Sequence, residues 1–485
     1  MWEEFLKKVE SRIRANCYTI GITGLAYSGK TVFLTSLITQ LKYQNPALFR
    51  YPREEEGEEN QISHFEEIHE ENTFPYKLYR DNLVNSNRWP SKTKDISRYR
   101  CRFRRPDWIR PVELDFFDFP GERIPDFLMG YFEDFESWSE AFLENLKLDK
   151  SQEMAKDYFL FLENALGNSK EWTGRQDGLE KKILEEYKKT LARLAIHYNP
   201  NISPSTFLID SKGKQAQGST VEEIIQGRFC GLEGYEFAPL SREFCQAFSR
   251  IGVKFQINYS KYRREVVLPL IQSFKDCHAL VILVDIPTIL ASGAGSYNDN
   301  QRIFEGLFQA LFQKRNNLFE QLFGPTRIRK IAILANKADL MHGSDRSKIQ
   351  FLLKDMFHHI QKTVEGYSFY YGYVSPIKST ISQEDHFLKG FLVYNEKGDL
   401  KSPPKGYYEE YVKETSKQGE KMISLKEFLE KKMDCFSVSE LPSKWPDYWS
   451  SGQYSFASVY PLIPARRDSP PEHLKMDELL RFLTG

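Results

Sequence analysis

Gly24-Leu-Ala-Tyr-Ser-Gly29-Lys30-Thr31 is the stretch that decides the fold. Its glycines let the backbone turn so that N–H groups face one point, and the helix opening at Lys30 aims its positive dipole end at the same point. This is the phosphate-binding loop pattern, G-x4-G-K-[ST]. The flanks agree with it. Residues 18–22 form a strand-like run, and Val32, Phe33, Leu37, Ile38 and Leu41 follow in a helical pattern. Strand, glycine loop and helix open an α/β P-loop domain. The backbone of Gly24, Ala26, Tyr27, Ser28, Gly29, Lys30, Thr31 and Val32 is the candidate phosphate cradle. Lys30 should reach the β- and γ-phosphates and Thr31 should ligate Mg2+. The competing reading is an ordinary Gly-rich turn, which the strand-to-helix context disfavours.

Working outward, 99–103 and 112–117 read as two strands joined by a turn at Arg105-Pro-Asp107, hence an antiparallel pair. The second ends in Asp118-Phe-Pro-Gly121, where a GTPase keeps its second switch. D-x-x-G alone is uninformative; its position at a strand end supplies the weight. There Asp118 can hold Mg2+ through a water and the Gly121 N–H can meet the γ-phosphate. Thr93, six residues before the strand at Tyr99, is placed as the first-switch threonine completing the Mg2+ shell. A plain loop threonine is the alternative. Glu122 stands where many GTPases have a water-orienting glutamine; a glutamate can act as base or hold the water less well, which predicts slow hydrolysis. Arg123 either supplies charge in cis or is a salt-bridged surface residue.

The strand at 331–335 ends in Asn336-Lys337-Ala338-Asp339. A carboxylate at Asp339 can accept from both N1–H and N2–H2 of guanine, whereas adenine would leave it unpaired. A solvated turn is the bland alternative. A last strand at 369–374 leads into Ser375-Pro-Ile-Lys378; across 375–380 backbone amides can meet the guanine O6, and Lys378 can pack on the ring.

The chain has 485 residues, too many for one plain core. Residues 14–42, 90–122 and 270–382 amount to about one ordinary domain. The sequence therefore divides into a discontinuous P-loop domain (1–122 and 270–382), a helical insertion (123–269) and a C-terminal extension (383–485) ending in a helix. Within the first, Trp2, Phe5, Leu6, Val9 and Ile13 predict a short amphipathic helix, and the glutamate-rich 51–72 predicts an exposed loop with one helix. Lys+Arg and Asp+Glu both total 67, so no nucleic-acid partner is expected. The longest strongly apolar run, 279–284, is far below the roughly 20 residues of a membrane span. With no secretory-signal pattern at the N-terminus, a cytoplasmic location is expected. Six scattered cysteines without C-x-x-C, and nine histidines without H-E-x-x-H, argue against disulfides and zinc.

With those residues in hand, the chain resembles the YcjX family, bacterial stress-associated GTP-binding proteins of the Ras-like P-loop class. The resemblance rests on 21–37, Trp89-Pro-Ser-Lys-Thr93, Asp118-Phe-Pro-Gly-Glu122, 284–301, Asn336-Lys-Ala-Asp339 and the Leu-rich C-terminal helix. Tyr27 and the Ser375 element depart from the family pattern. The resemblance implies a cytoplasmic GTP- and GDP-binding protein using Mg2+, whose relatives are linked to envelope stress and to a membrane-protein partner. The expected architecture is a Ras-like G domain, a mixed and mostly parallel sheet, with a large helical insertion. The expected function is a GTP-hydrolysing switch with an unknown protein effector. A non-hydrolysing nucleotide-gated scaffold and a P-loop kinase are the rivals.

Overall fold

The computed structural model describes residues 16–53, 61–69, 73–90, 97–147, 149–197, 203–204, 235–312, 326–364, 366–395, 397–404, 425–464 and 468–485. The helix expected within residues 1–15 lies outside them. The chain forms two compact units: Met1–Phe119 with Cys277–Tyr297 and Arg327–Gly485, and Pro120–Asp276 with Asn298–Thr326.

The first unit is built on strands β1 (Asn16–Gly24), β2 (Ser63–Ile68), β3 (Ser97–Arg104), β4 (Val112–Asp118), β5 (Ala279–Val284), β6 (Lys330–Ala335) and β7 (Ser368–Tyr373). They form one seven-stranded sheet in the order β2-β3-β4-β1-β5-β6-β7. β4, β1, β5, β6 and β7 run parallel to one another, β3 is antiparallel to β4, and β2 is antiparallel to β3. The mixed, mostly parallel α/β sheet is the one expected. Composition explains the placement of each strand. Ala-Leu-Val-Ile-Leu-Val of β5 is buried at every position, as a central parallel strand must be. In β3, Tyr99, Cys101 and Phe103 are buried in alternation with arginines, the pattern of a strand with one solvated face.

The expectation of a loop with one helix across 51–72 is corrected at Ser63–Ile68 by β2, an edge strand; residues 54–60 and 70–72 lie outside the described residues. An edge strand has one neighbour and tolerates charge, so its glutamates hide the strand in the sequence. Glu66 lies opposite Arg102 of β3, and Lys42 donates to Glu67 at 2.5 Å. A small antiparallel sheet of β8 (Ile381–Ser382), β9 (Phe387–Gly390) and β10 (Asp434–Ser437) also escaped the reading, because strands this short carry almost no periodic signal.

The helix Lys30–Tyr43 is buried nearly all round, so its polar residues must be satisfied internally. Thr35 and Thr39 donate to the carbonyls of Thr31 and Thr35 at 2.7 Å each. Gln40 donates to Pro471 O at 2.7 Å and Ser36 to Pro376 O at 2.5 Å. The C-terminal helix Met476–Thr484 adds Met476, Leu479, Leu480 and Leu483 to the core of this unit. Its last carbonyls are met by Lys330, which donates to Phe482 O at 2.8 Å and Gly485 O at 3.0 Å, and by Tyr18, which donates to Thr484 O at 2.9 Å. The segment read as an extension therefore holds up the sheet. Leu480→Ala is expected to destabilise the protein by about 2–5 kcal/mol, seen as a lowered urea midpoint; an unchanged midpoint would show that this helix is peripheral.

The second unit is helical: Phe127–Tyr131, Phe135–Leu146, Asp149–Gly167, Gln176–His197, Ser249–Tyr262, Leu268–Lys275 and the later part of Ala294–Phe312. Trp138, Tyr187, Phe237, Tyr259 and Tyr262 form much of its aromatic core. The segment running into this unit is fastened to the segment running out. Tyr262 and Ser203 donate to the two carboxylate oxygens of buried Asp126 at 2.9 and 2.8 Å. Tyr259 donates to Phe132 O at 3.0 Å and Arg263 to Met129 O at 3.1 Å. A Cβ on Gly130 would lie 2.3 Å from Ile271 Cδ1, so the two segments pack closely there and a larger residue would push the Ile271 side chain aside. Among the described residues no helix is long and apolar enough to cross a membrane.

Candidate functional site

Open α/β sheets bind ligands outside the C-terminal ends of their parallel strands. Here those ends carry Gly24 and the loop after it (β1), Asp118 (β4), Asp285 (after β5), Asn336 (after β6) and Ser375 (after β7). Register brings them level: Ile22 lies beside Asp118, Gly24 beside Leu283, and Val284 beside Ala335.

The loop after β1 has the conformation its glycines permit. Gly24 and Gly29 have φ of 147° and 86°. A Cβ at Gly24 would fall 2.4 Å from Leu283 O, and one at Gly29 would fall 2.5 Å from Asn336 Nδ2, so both positions exclude any side chain. Tyr27, half exposed, sits at φ 66°, a region that costs a non-glycine residue about 1 kcal/mol. Ser28 N donates to Leu25 O at 3.1 Å, closing the turn. Lys30 is buried and folds back, donating to Gly24 O at 2.9 Å and Leu25 O at 3.1 Å. No side chain caps the helix at Gly29 and no acidic residue stands in its first turn. The leading amides at Lys30, Thr31 and Val32 thus present an anion-favouring end. Val32 packs against Leu83, Ile377 and Ile463.

Asp118 ends β4 fully buried, and Phe119 N donates to Ile22 O at 3.0 Å, holding that strand end against β1. Gly121 and Glu122 begin the 3-10 turn Gly121–Asp126, the first element of the second unit. Arg123 has a buried Nε without a hydrogen-bond partner among the described residues. Thr93 lies outside the described residues.

The segment Asn336-Lys-Ala-Asp339 is tied down through its backbone, with Ala338 N donating to Val374 O at 3.1 Å, and through three of its side chains. Asn336 Nδ2 donates to Ser28 O at 2.7 Å, and its Oδ1 is buried without a hydrogen-bond partner among the described residues. Lys337, at φ 58°, donates through Nζ to Asp285 Oδ2. Asp339 is buried; its Oδ1 accepts from Ser375 Oγ at 2.6 Å and its Oδ2 from Ser379 N at 2.9 Å. Burial raises the Asp339 pKa, and the hydrogen bonds from Ser375 and Ser379 work against that rise. A carboxylate has about four acceptor positions, so roughly two remain after these bonds.

The turn after β7 is partly committed. Pro376 has no N–H, the Lys378 amide donates to Glu472 O at 2.8 Å, and the Ser379 amide goes to Asp339. The Ile377 amide makes no hydrogen bond among the described residues. The Lys378 ammonium donates to Glu472 Oε2 at 3.0 Å.

Sequence reasoning passed over Asp285, and it placed Ser379 only within the base-facing stretch 375–380, not as a partner of Asp339. Asp285 had a usable signal: like Asp118 and Asn336, it is the first polar residue after an apolar strand. The tie from Ser379 to Asp339 left none, because it is made by a backbone amide. The oxygen donors Thr31 and Asp118 suit Mg2+, a hard cation that keeps several waters. The cradle that a Cβ at Gly24 or Gly29 would fill suits phosphate oxygens.

Residues 19–485 match the YcjX-like family, DUF463. A protein of Shewanella oneidensis named Ras-like GTPase YcjX is 23% identical over 507 residues, covering 96% of this chain and 93% of that protein. One of the same name from Escherichia coli (strain K12) is 22% identical over 509 residues, covering 96% and 95%. The chain belongs to the YcjX-like family.

Proposed function

We propose that this member of the YcjX-like family binds GTP and GDP, hydrolyses GTP slowly and acts as a nucleotide-dependent switch. The observation that carries the reading is the hydrogen bond from Asn336 Nδ2 to Ser28 O at 2.7 Å. It joins the base-discriminating segment to the phosphate loop, the juxtaposition a guanine nucleotide needs. In this reading the amides from Gly24 to Val32 hold the β-phosphate, and Lys30 turns donors toward the β- and γ-oxygens. Thr31, Thr93 and Asp118 would hold Mg2+, whose contribution when bound is to neutralise phosphate oxygens. Asp339 accepts from N1–H and N2–H2 of guanine, the Ile377 amide meets O6, and Lys337 lays its stem along the base. Gly121 follows Asp118 by three residues, within about 10 Å of chain, and its N–H serves the γ-phosphate. Glu122 orients or deprotonates water.

The bonds among Asp126, Met129, Phe132, Tyr259, Tyr262 and Arg263 support the helical unit as the element that senses the second switch. The segment just after Gly121 cannot shift without moving the helices that hold it. The effector is a protein, in the bacterial stress response and at the inner membrane if the resemblance extends that far, with the chain itself cytoplasmic. Multiple-turnover phosphate release from GTP with Mg2+ tests hydrolysis. Release above buffer is expected. None, under conditions where GTP binds, would leave the non-hydrolysing scaffold, which Glu122 in place of a water-orienting amide favours. Displacement of labelled GTP by ATP with equal affinity would turn the reading toward a kinase.

A further inference from the structure

We infer that Asp285 is a positioning residue for guanine nucleotide, acting through Lys337; this rests on the reading above. Asp285 closes β5 with its side chain about one-tenth exposed. Its Oδ1 accepts from Thr288 N at 3.1 Å, capping the helix Ile286–Ser292. Asparagine caps a helix as well as aspartate does, so the helix has no need of the charge. The second oxygen goes to Lys337 Nζ.

Besides the backbone bonds of Asn336 and Ala338 to Val284 and Val374, the side chains of 336–339 are fastened by Asn336 on Ser28, by Asp339 on Ser375 and Ser379, and by Lys337; the first two use groups assigned to the nucleotide site itself. Asp285 holds Lys337 from outside that site, directly after the strand β5 that is in register with β6. Lys337 has a left-handed backbone, which a residue with a Cβ keeps only when its surroundings enforce it. Engaged by a capped and nearly immobile carboxylate, its ammonium is held, and the four-carbon stem is left as the surface offered to a flat ring. Without that charge the ammonium is free to sample other partners, and the stem loses its fixed course. Lys337 is about one-third exposed, so screening keeps the effect moderate.

Dissociation of fluorescently labelled GDP from the full chain tests this. Asp285→Asn, which retains the cap, is expected to speed release about five- to tenfold, with thermal unfolding of the nucleotide-free protein unchanged. Lys337→Met is expected to do the same, and adding Asp285→Asn to it to change nothing further. Unchanged release in Asp285→Asn, or multiplied effects in the double variant, would overturn the inference while leaving the nucleotide site intact. Failure of the unaltered protein to bind GDP at all would overturn the proposed function, and this inference with it.

Discussion

Lys30→Ala is expected to weaken GDP and GTP binding by at least about a hundredfold, measured by titration calorimetry. The ammonium is buried, and it can exchange its carbonyl acceptors for phosphate oxygens by rotating its own side chain. Two charge-assisted hydrogen bonds at about 1.5–3 kcal/mol each together exceed the roughly 2.7 kcal/mol of a hundredfold factor. The substitution also removes the donor that now serves Gly24 O and Leu25 O, so the loop could loosen. Thermal unfolding without nucleotide separates the two effects: a phosphate role predicts lost affinity with little change in that midpoint. Affinity equal to the unaltered protein would remove Lys30 from the site.

Asp339→Asn is expected to lower guanine affinity about a hundredfold or more and to raise that for xanthine nucleotides. Xanthine carries an acceptor at C2 where guanine carries a donor, and an amide offers the matching N–H. The buried surroundings can accept the change. The asparagine oxygen can take the Ser379 N–H, and its NH2 can donate to Ser375 Oγ, since a hydroxyl serves in either direction. The fold should therefore survive. Competition of GDP and xanthosine diphosphate against a labelled nucleotide reads the result, and an unaltered preference would take Asp339 out of the base pocket.

The legible part of this protein is the part in which a residue's role depends on its immediate neighbours. The glycines at 24 and 29 with Lys30 and Thr31 announce a loop and a helix start, because backbone freedom and the helix dipole act within a few residues. Continuous apolar runs at 279–284 and 331–335 announce buried parallel strands for the same local reason. The illegible parts depend on distant partners. β2 is a strand because β3 lies beside it, with Arg102 opposite Glu66. The helix Lys30–Tyr43 keeps polar residues in its interior because Pro376 and Pro471 accept from them.

By itself, then, the sequence determined a P-loop α/β domain with a guanine-type base motif and a long interruption after Gly121. Each of those is written in contiguous residues with a spacing that backbone geometry demands. Only the tertiary structure decided that the C-terminal helix belongs to the core, that Asn336 is hydrogen-bonded to Ser28, that Ser379 holds Asp339, and that Asp285 holds Lys337. Those contacts span from 40 to more than 300 residues of chain. Strand order and register create them, and neither leaves a mark on the residues between.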